Sequence, residues 1–464
     1  MLKPIHALQR VAAVCLKVAP VRASSVKRVL LAPNDFVGEK MAAPGIRYFH
    51  FARELARDGR FDVTLMVTND PQEVRLDGVR AIGTGRRRLA QMREIVPSFD
   101  VIVAQGGLDF RSMAFLAGTE VRTIYDLYAP FFEMLTFQGG GDGHGSEQRL
   151  RWRAYCLRHR IMLLTGRAFI GANSEQRHAL LGALAAVGRI SLEDYRLDPT
   201  LEHLVRAVGL GLDIEPPRAT IDDVRAALPR ARKDDRILIW PGNLWDWFDP
   251  QTLMRAMAKI SATRDDIKLY CLGLRHPNPA GYAKTTTTDR AIALAEELGV
   301  KDRTVFFDFG WISYEERQNY LLAADIGVNV HSEHVETTFA YRTRLLDYLW
   351  AALPIVTTEG GALSDLVDRN GLGRTMRFGD VDDCARAILE LCDDPVEYAR
   401  VRERVTQFRE QMTWQRAVQP LAELIEAPQA PATAGTPVRG LMLQYALTRG
   451  QLGLRRASSH SLQR

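Results

Sequence analysis

Cysteine is scarce in this 464-residue chain. Cys15, Cys156, Cys271, Cys384 and Cys392 are scattered, odd in number and never spaced as Cys-x-x-Cys. That excludes a disulfide framework and a zinc module, and points to a reducing, cytoplasmic compartment. No run of 18 apolar residues occurs, so no segment reads as a membrane-spanning helix. Residues 5–18 are moderately apolar, but Lys17 follows closely and no small-residue cleavage pattern is clear, so they are not read as a signal peptide. No Gly-x-Gly-x-x-Gly and no Walker lysine motif is found, which weakens nicotinamide and P-loop readings.

Acidic residues are absent from both ends. Residues 1–34 hold six basic side chains and no acid, and residues 427–464 hold five and no acid. The stretch between them carries 50 basic against 56 acidic residues, so the formal net charge of +5 belongs to the tails. A mildly acidic body argues against nucleic-acid binding, and the basic ends suit an anionic membrane surface. Within 441–456, Leu, Met and Tyr alternate with Arg, a pattern that can lie on such a surface; two glycines weaken it as a helix.

What is present is a repeated alternation of apolar runs and helical stretches. Strands are expected at 28–32, 62–67, 100–104, 122–125, 168–172 and 204–208, then at 236–240, 267–272, 304–308, 325–330 and 354–357. Most are continuous apolar runs, as parallel strands covered on both faces require. Two such series imply an α/β protein of two doubly wound Rossmann-like domains facing a central cleft. The expected boundaries are a basic N-terminal extension (1–27), a first domain (28–212), a second (213–405), a C-terminal helix crossing back (406–426) and a low-complexity basic tail (427–464).

Ligands in such sheets bind beyond the carboxyl ends of the strands. After the first strand, Pro44 can open a helix closed by Gly59, and Gly45 lets a ligand approach the backbone. After the fourth strand, Asp126 suits general-base or hydroxyl-binding work and equally suits helix capping; Tyr128 and Glu133 follow. His144 sits in a glycine-rich loop. The second series opens on Trp240-Pro241-Gly242-Asn243-Leu244-Trp245-Asp246-Trp247-Phe248-Asp249, where aromatic walls and carboxylates suit sugar rings, or a domain interface. Arg275, Arg342 and Arg344 are candidates to neutralise a diphosphate. Gly310-Trp311-Ile312 can lie against a base. A helix over 339–352, capped by Thr337 or Thr338, would present free N–H groups to an anion, with Glu336 before it and Asp347 upon it.

Four segments, PGIRYFHFARELARDGRFDVTLMV, GANSEQRHALLGAL, WPGNLWDWFDP and RLLDYLWAALPIVTTEGG, together resemble a family 4 glycosyltransferase of the GT-B fold over about residues 28–425. In that family two acids eight positions apart precede a Gly-x-Pro. Asp347 falls at the second acid, which binds the nucleotide ribose; the first falls on Phe339, and Glu336 is the nearest acid. The family's Arg and Lys after the first strand of the second domain are replaced here by Asp246 and Asp249, and its His-Asp by Tyr125-Asp126.

The resemblance implies retaining, metal-independent transfer from a nucleotide-sugar co-substrate, with no other cofactor, to a glycan or lipid-linked acceptor in surface polysaccharide or lipopolysaccharide synthesis. Asp126, Glu336 and Arg275 are then the expected catalytic residues. Gly45, Gly242, Asn243, Asp246, Gly310, Trp311, Ile312, Thr337, Thr338, Arg342, Arg344 and Asp347 would hold the donor, and Tyr128 and His144 would meet the acceptor. A non-catalytic sugar-binding protein or a nucleotide-sugar epimerase of the same fold are the alternatives.

Overall fold

The structure, a computed structural model, describes residues 26–84, 87–128, 131–139, 145–275, 286–429 and 438–461. The first domain's strands are β1 (Lys27–Ala32), β2 (Phe61–Val67), β3 (Val79–Gly83), β4 (Val101–Gln105), β5 (Arg122–Asp126), β6 (Ala168–Gly171) and β7 (Val205–Ala207). They form a parallel sheet in the order β3-β2-β1-β4-β5-β6-β7. Its helices are α1 (Ala43–Asp58), α2 (Arg88–Ile95), α3 (Phe110–Ala117), α4 (Phe131–Gly139), α5 (Ser146–Thr165), α6 (Ser174–Ala186) and α7 (Leu192–Leu197). The second domain's strands are β8 (Arg236–Pro241), β9 (Ile267–Leu272), β10 (Val305–Phe307), β11 (Ile326–Asn329), β12 (Ile355–Thr358) and β13 (Gly373–Met376), in the parallel order β10-β9-β8-β11-β12-β13. Its helices are α8 (Pro250–Ile260), α9 (Thr286–Glu297), α10 (Arg317–Ala323), α11 (Val335–Phe339), α12 (Arg344–Trp350), α13 (Ala362–Arg369), α14 (Val381–Asp393) and α15 (Pro395–Phe408). Two more follow, α16 (Trp414–Glu426) and α17 (Val438–Ser461).

The alternation within β1 shows how the apolar runs are used. Val29 and Leu31 enter one core with Tyr48, Phe51 and Leu55 of α1, while Leu30 and Ala32 enter the other with Ile102, Tyr125 and Phe169. Both faces are covered, so every position of the run must be apolar. All eleven expected strands are present. The two missed ones, β3 and β13, are edge strands whose residues are partly exposed and whose sequences, VRAIG and GRTM, lack a continuous apolar run.

The chain passes between the domains twice, side by side. Leu212 N–H donates to the Met412 carbonyl at 2.7 Å, and Trp414 N–H donates to that of Leu212 at 3.0 Å. Gly211 is required there: a Cβ would lie 2.5 Å from the Trp414 nitrogen. The helix expected over 406–426 is split at this crossing. α15 stays with the second domain and α16 packs on α1 and β7 of the first.

The tail departs from expectation. Residues 438–461 form α17, which lies along α5 with Tyr445, Thr448 and Leu452 buried. Tertiary packing outweighs the three glycines of this helix, whose cost is about 1 kcal/mol each in a helix interior. Residues 1–25, with most of the basic extension, lie outside the described residues.

Candidate functional site

A cleft with a cavity of about 310 Å³ lies between the two domains, at the carboxyl ends of both sheets. The first domain contributes residues 41–46, Tyr128 and Glu133; the second contributes the loops after β8, β9 and β10 and the segment 336–350.

The helix expected over 339–352 is broken in two. Phe339 and Ala340 turn their carbonyls towards the first domain, where Gln176 Nε2 donates to Phe339 O at 2.8 Å and Asn173 Nδ2 donates to Ala340 O at 3.4 Å. With these carbonyls turned to the first domain instead of along a helix axis, the helical ladder stops at Phe339 and resumes at Arg344. Thr337 and Thr338 therefore lie inside the short α11 rather than capping a long helix, and neither lines the cleft; the Thr337 hydroxyl donates to Ser332 O at 3.1 Å. Phe339, at the position of the family's first acid, stacks on Phe132 of α4 with ring centroids 4.9 Å apart.

α12 is fixed by Tyr348, whose hydroxyl donates to the carbonyls of Ile239 at 3.0 Å and Val328 at 2.8 Å. Gly327 makes room for that ring, since a Cβ there would fall 2.2 Å from it. With this face anchored, Arg344 and Asp347, one turn apart, both reach the cleft wall.

Arg344 is the most unusual group of the site. Its guanidinium lies against the neighbouring Trp240 and Phe248 rings, 4.4 and 4.2 Å from their centroids. Nη2 donates to Asn243 O at 3.1 Å, and Nη1 has no hydrogen-bond partner among the described residues. Burial pulls its pKa down to about 10, which leaves it charged at neutral pH. It lies under the turn at Gly242, whose φ of +92° suits glycine. Among the described residues no carboxylate pairs with it, and such a cation on a cleft wall is a ready receptor for an anion.

The acids of the β8 loop serve structure. Asp249 caps α8 by accepting from Thr252 N–H at 3.1 Å, and Asp246 accepts from the Thr287 hydroxyl at 2.7 Å at the start of α9. Asp246 does not line the cleft. Trp245 and Trp247, stacked 5.6 Å apart, do form part of its wall.

Glu336 lines the cleft, fully buried, with both oxygens held by Arg342 at 2.8 and 2.6 Å. Glu133 faces the same cavity from α4; burial, and then the charge of Glu336, push its pKa up to about 8. Asp347 takes Arg317 Nε at 3.2 Å, and burial raises its pKa against the pull of that guanidinium.

Other expected residues lie elsewhere. Asp126 is 1% exposed and bound by Arg47 (Nε–Oδ2 2.8 Å, Nη2–Oδ1 3.2 Å), so its lone pairs are occupied and it does not line the cleft. Arg275 is exposed, with its guanidinium 5.9 Å from the Phe309 ring, off the cleft wall. Gly45 is needed for packing, because a Cβ would lie 2.0 Å from Phe36 O. Gly310 donates its N–H to Asp308 at 2.7 Å, while its neighbours Trp311 and Ile312 reach the cleft. His144 lies outside the described residues. The cleft thus gathers Tyr128, Gly242, Asn243, Trp311, Ile312, Glu336, Arg342, Arg344 and Asp347.

Arg317 was missed by sequence reasoning altogether. Its signal was slight: Tyr314 and Arg317, three apart, in the segment that follows the Gly310-Trp311 loop.

Residues 235–394 match the family model described as "Glycosyl transferases group 1". That match covers most of the second domain. No curated protein matches the chain in sequence. Among solved structures it is similar to HepE of Anabaena, determined with UDP and glucose, at 15% identity and a TM-score of 0.60, covering 87% of this chain and 100% of that one. It is also similar to sucrose-phosphate synthase of Thermosynechococcus elongatus (16% identity, TM-score 0.63, 86% and 98% covered). A third is WaaG, a glycosyltransferase involved in lipopolysaccharide biosynthesis (15%, 0.59, 86% and 100%). At these identities the likeness establishes the fold, two Rossmann-like domains in the GT-B arrangement.

Proposed function

We propose that the chain transfers a sugar, with retention, from a nucleotide-sugar donor to a glycan or glycolipid acceptor in surface polysaccharide or lipopolysaccharide synthesis. The observation that carries the reading is Arg344, a half-buried cation on the cleft wall at the carboxyl end of β8, with a donor that no described residue takes up. It supplies, from α12, the charge that the family places in the β8 loop. The donor diphosphate would sit against Arg344 and the Gly242–Asn243 turn, the ribose on Asp347, and the base near Trp311 and Ile312. As the bond from the anomeric carbon to the diphosphate oxygen breaks, charge grows on that oxygen, and a guanidinium already in place stabilises it without reorganisation. The acceptor would enter past Tyr128 and Glu133, its hydroxyl oxygen forming the new bond to the anomeric carbon on the face the diphosphate leaves, and its proton passing to the departing diphosphate oxygen. UDP is the first donor nucleotide to test, given the complexes of HepE.

A second reading has one observation in its favour. Phe339 takes the place of an acid, and Glu336 is neutralised by Arg342. A protein that binds a nucleotide sugar without transferring it would look the same. Incubation with UDP-, GDP- and dTDP-sugars, with released nucleotide measured with and without glycolipid acceptors, decides. Acceptor-dependent release supports transfer; binding without release supports the second reading, and product without acceptor an epimerase.

Among the described residues no helix is long and apolar enough to cross a membrane. Contact with an anionic membrane at the cytoplasmic face would fall to the outer side of α17, where Leu443 and Leu447 are exposed beside Arg439 and Arg449. Unchanged liposome binding after deletion of 428–464 would remove that contact from the proposal.

A further inference from the structure

We infer that Arg317 is a positioning residue for Asp347 and ties nucleotide recognition in the second domain to the first domain through Asp213 and Arg53. This rests on the reading of Asp347 as the ribose carboxylate. Arg317 is clamped on both faces, its guanidinium carbon 3.5 Å from the Tyr314 ring centroid and 4.3 Å from that of Trp350. Nη1 donates to the Tyr314 carbonyl. Two directions are left. Nε donates to Asp347 Oδ1 at 3.2 Å, and Nη2 stands 4.0 Å from Asp213 Oδ2. Asp213, in the strand of chain that leaves the first domain, also binds Arg53 of α1 at 2.8 Å.

Tyr314 is held from the first domain as well. Its hydroxyl is 2.7 Å from His50 Nε2, and His50 stacks on Trp414 at 4.2 Å and 7°. The clamp on Arg317 therefore depends on groups from α1, α16 and the crossing. Asp347 stays a third exposed to the cleft. A ribose diol needs a carboxylate that is ionised and fixed in direction, and Arg317 does both for Asp347.

The readout that separates positioning from mere support is discrimination between ribose and deoxyribose. We would titrate UDP and GDP, each against its 2′-deoxy counterpart, into the full-length protein and its variants. In the wild type the ribonucleotide should bind about tenfold or more tightly, the scale of one hydrogen bond to a charged group. Arg317→Met should bring the ratio near one while affinity for the deoxynucleotide changes by less than about twofold; Arg317→Lys should restore part of the preference. Arg53→Met, remote from the nucleotide, should also lower the ratio. Equal weakening of both nucleotides by Arg317→Met, or an unchanged ratio in it, overturns the inference. If that variant does not fold, Arg53→Met decides, and an unchanged ratio there overturns the link to the first domain. A wild type without ribose preference fails one step earlier, at the reading of Asp347.

Discussion

Replacing Asp126 with alanine separates a structural carboxylate from a catalytic one. In the folded protein Arg47 and Asp126 have fully buried side chains joined by two hydrogen bonds. The remaining nitrogen, Nη1, donates to the carbonyls of Val208 at 2.8 Å and Gly209 at 2.9 Å, and the guanidinium lies over Phe51 and Tyr128. Asp126→Ala removes the charge partner and leaves the cation inside. Breaking a buried pair from one side costs about 3–5 kcal/mol. A domain of this size shifts its melting temperature by about 2–4 °C per kcal/mol, so the loss should be roughly 6–20 °C. Arg47→Met should cost a similar amount, stranding the carboxylate instead. The double change Asp126→Leu with Arg47→Met should cost much less than the sum, because no charge is left unpaired. Circular dichroism melts of the four proteins, with nucleotide-release rates measured well below the lowest transition, provide the comparison. If Asp126→Ala melts like the wild type and yet turnover stops, the pair is not structural and Asp126 returns to the reaction.

Arg344→Met should keep or raise the melting temperature, since a thioether packs against the Trp240 and Phe248 rings without a charge to desolvate. It should weaken UDP binding at least about tenfold while leaving uridine binding unchanged, by calorimetry; equal loss for both would show that the residue only shapes the pocket. Glu133 gives a pH dependence. Folded, it keeps its proton up to about pH 8, whereas unfolded it releases it near 4.5, so the folded state binds more protons between those values and stability falls as pH rises from about 4.5 to 8. Glu133→Gln should flatten that slope, and melts from pH 5 to 9 with parallel curves for the two proteins would contradict the burial of this carboxyl.

Much of the fold was legible because the chain states it repeatedly. Strands such as LLA after Arg28 and LIW after Arg236 are apolar at every position, and only burial on both faces asks for that. β3 and β13 at the sheet edges were not legible, because half-exposed edges do not need the pattern. The site was legible where local sequence decides geometry, as at Gly242, Asn243, Arg344 and Asp347. It was not legible where a side chain's partner lies far along the chain. Asp126 is captured by Arg47, 79 positions away, and Asp347 by Arg317, 30 positions away. The broken helix has the same cause: its carbonyls are taken by Asn173 and Gln176, more than 160 positions upstream.

These departures fit one electrostatic account. With an aromatic at position 339 the segment bridges to α4 through Phe132, and the acid moves to Glu336. There it is closed off by Arg342, which cannot then serve a diphosphate as well. The β8 loop carries acids that are spent on capping α8 and on holding the start of α9. Of the three arginines expected to neutralise a donor, Arg275 is off the wall and Arg342 is paired, so the proposed function places the burden on Arg344. Its environment agrees: the Trp240 and Phe248 rings pack against it without competing for its donors. A site relying on one unpaired guanidinium should be more salt-sensitive than one with two bases only where the cation is fully exposed, and this one is half-buried against Trp240 and Phe248. Nucleotide affinity should therefore fall by less than about threefold between 50 and 300 mM salt in the wild type, and a steeper loss would place the diphosphate on an exposed cation instead of on Arg344.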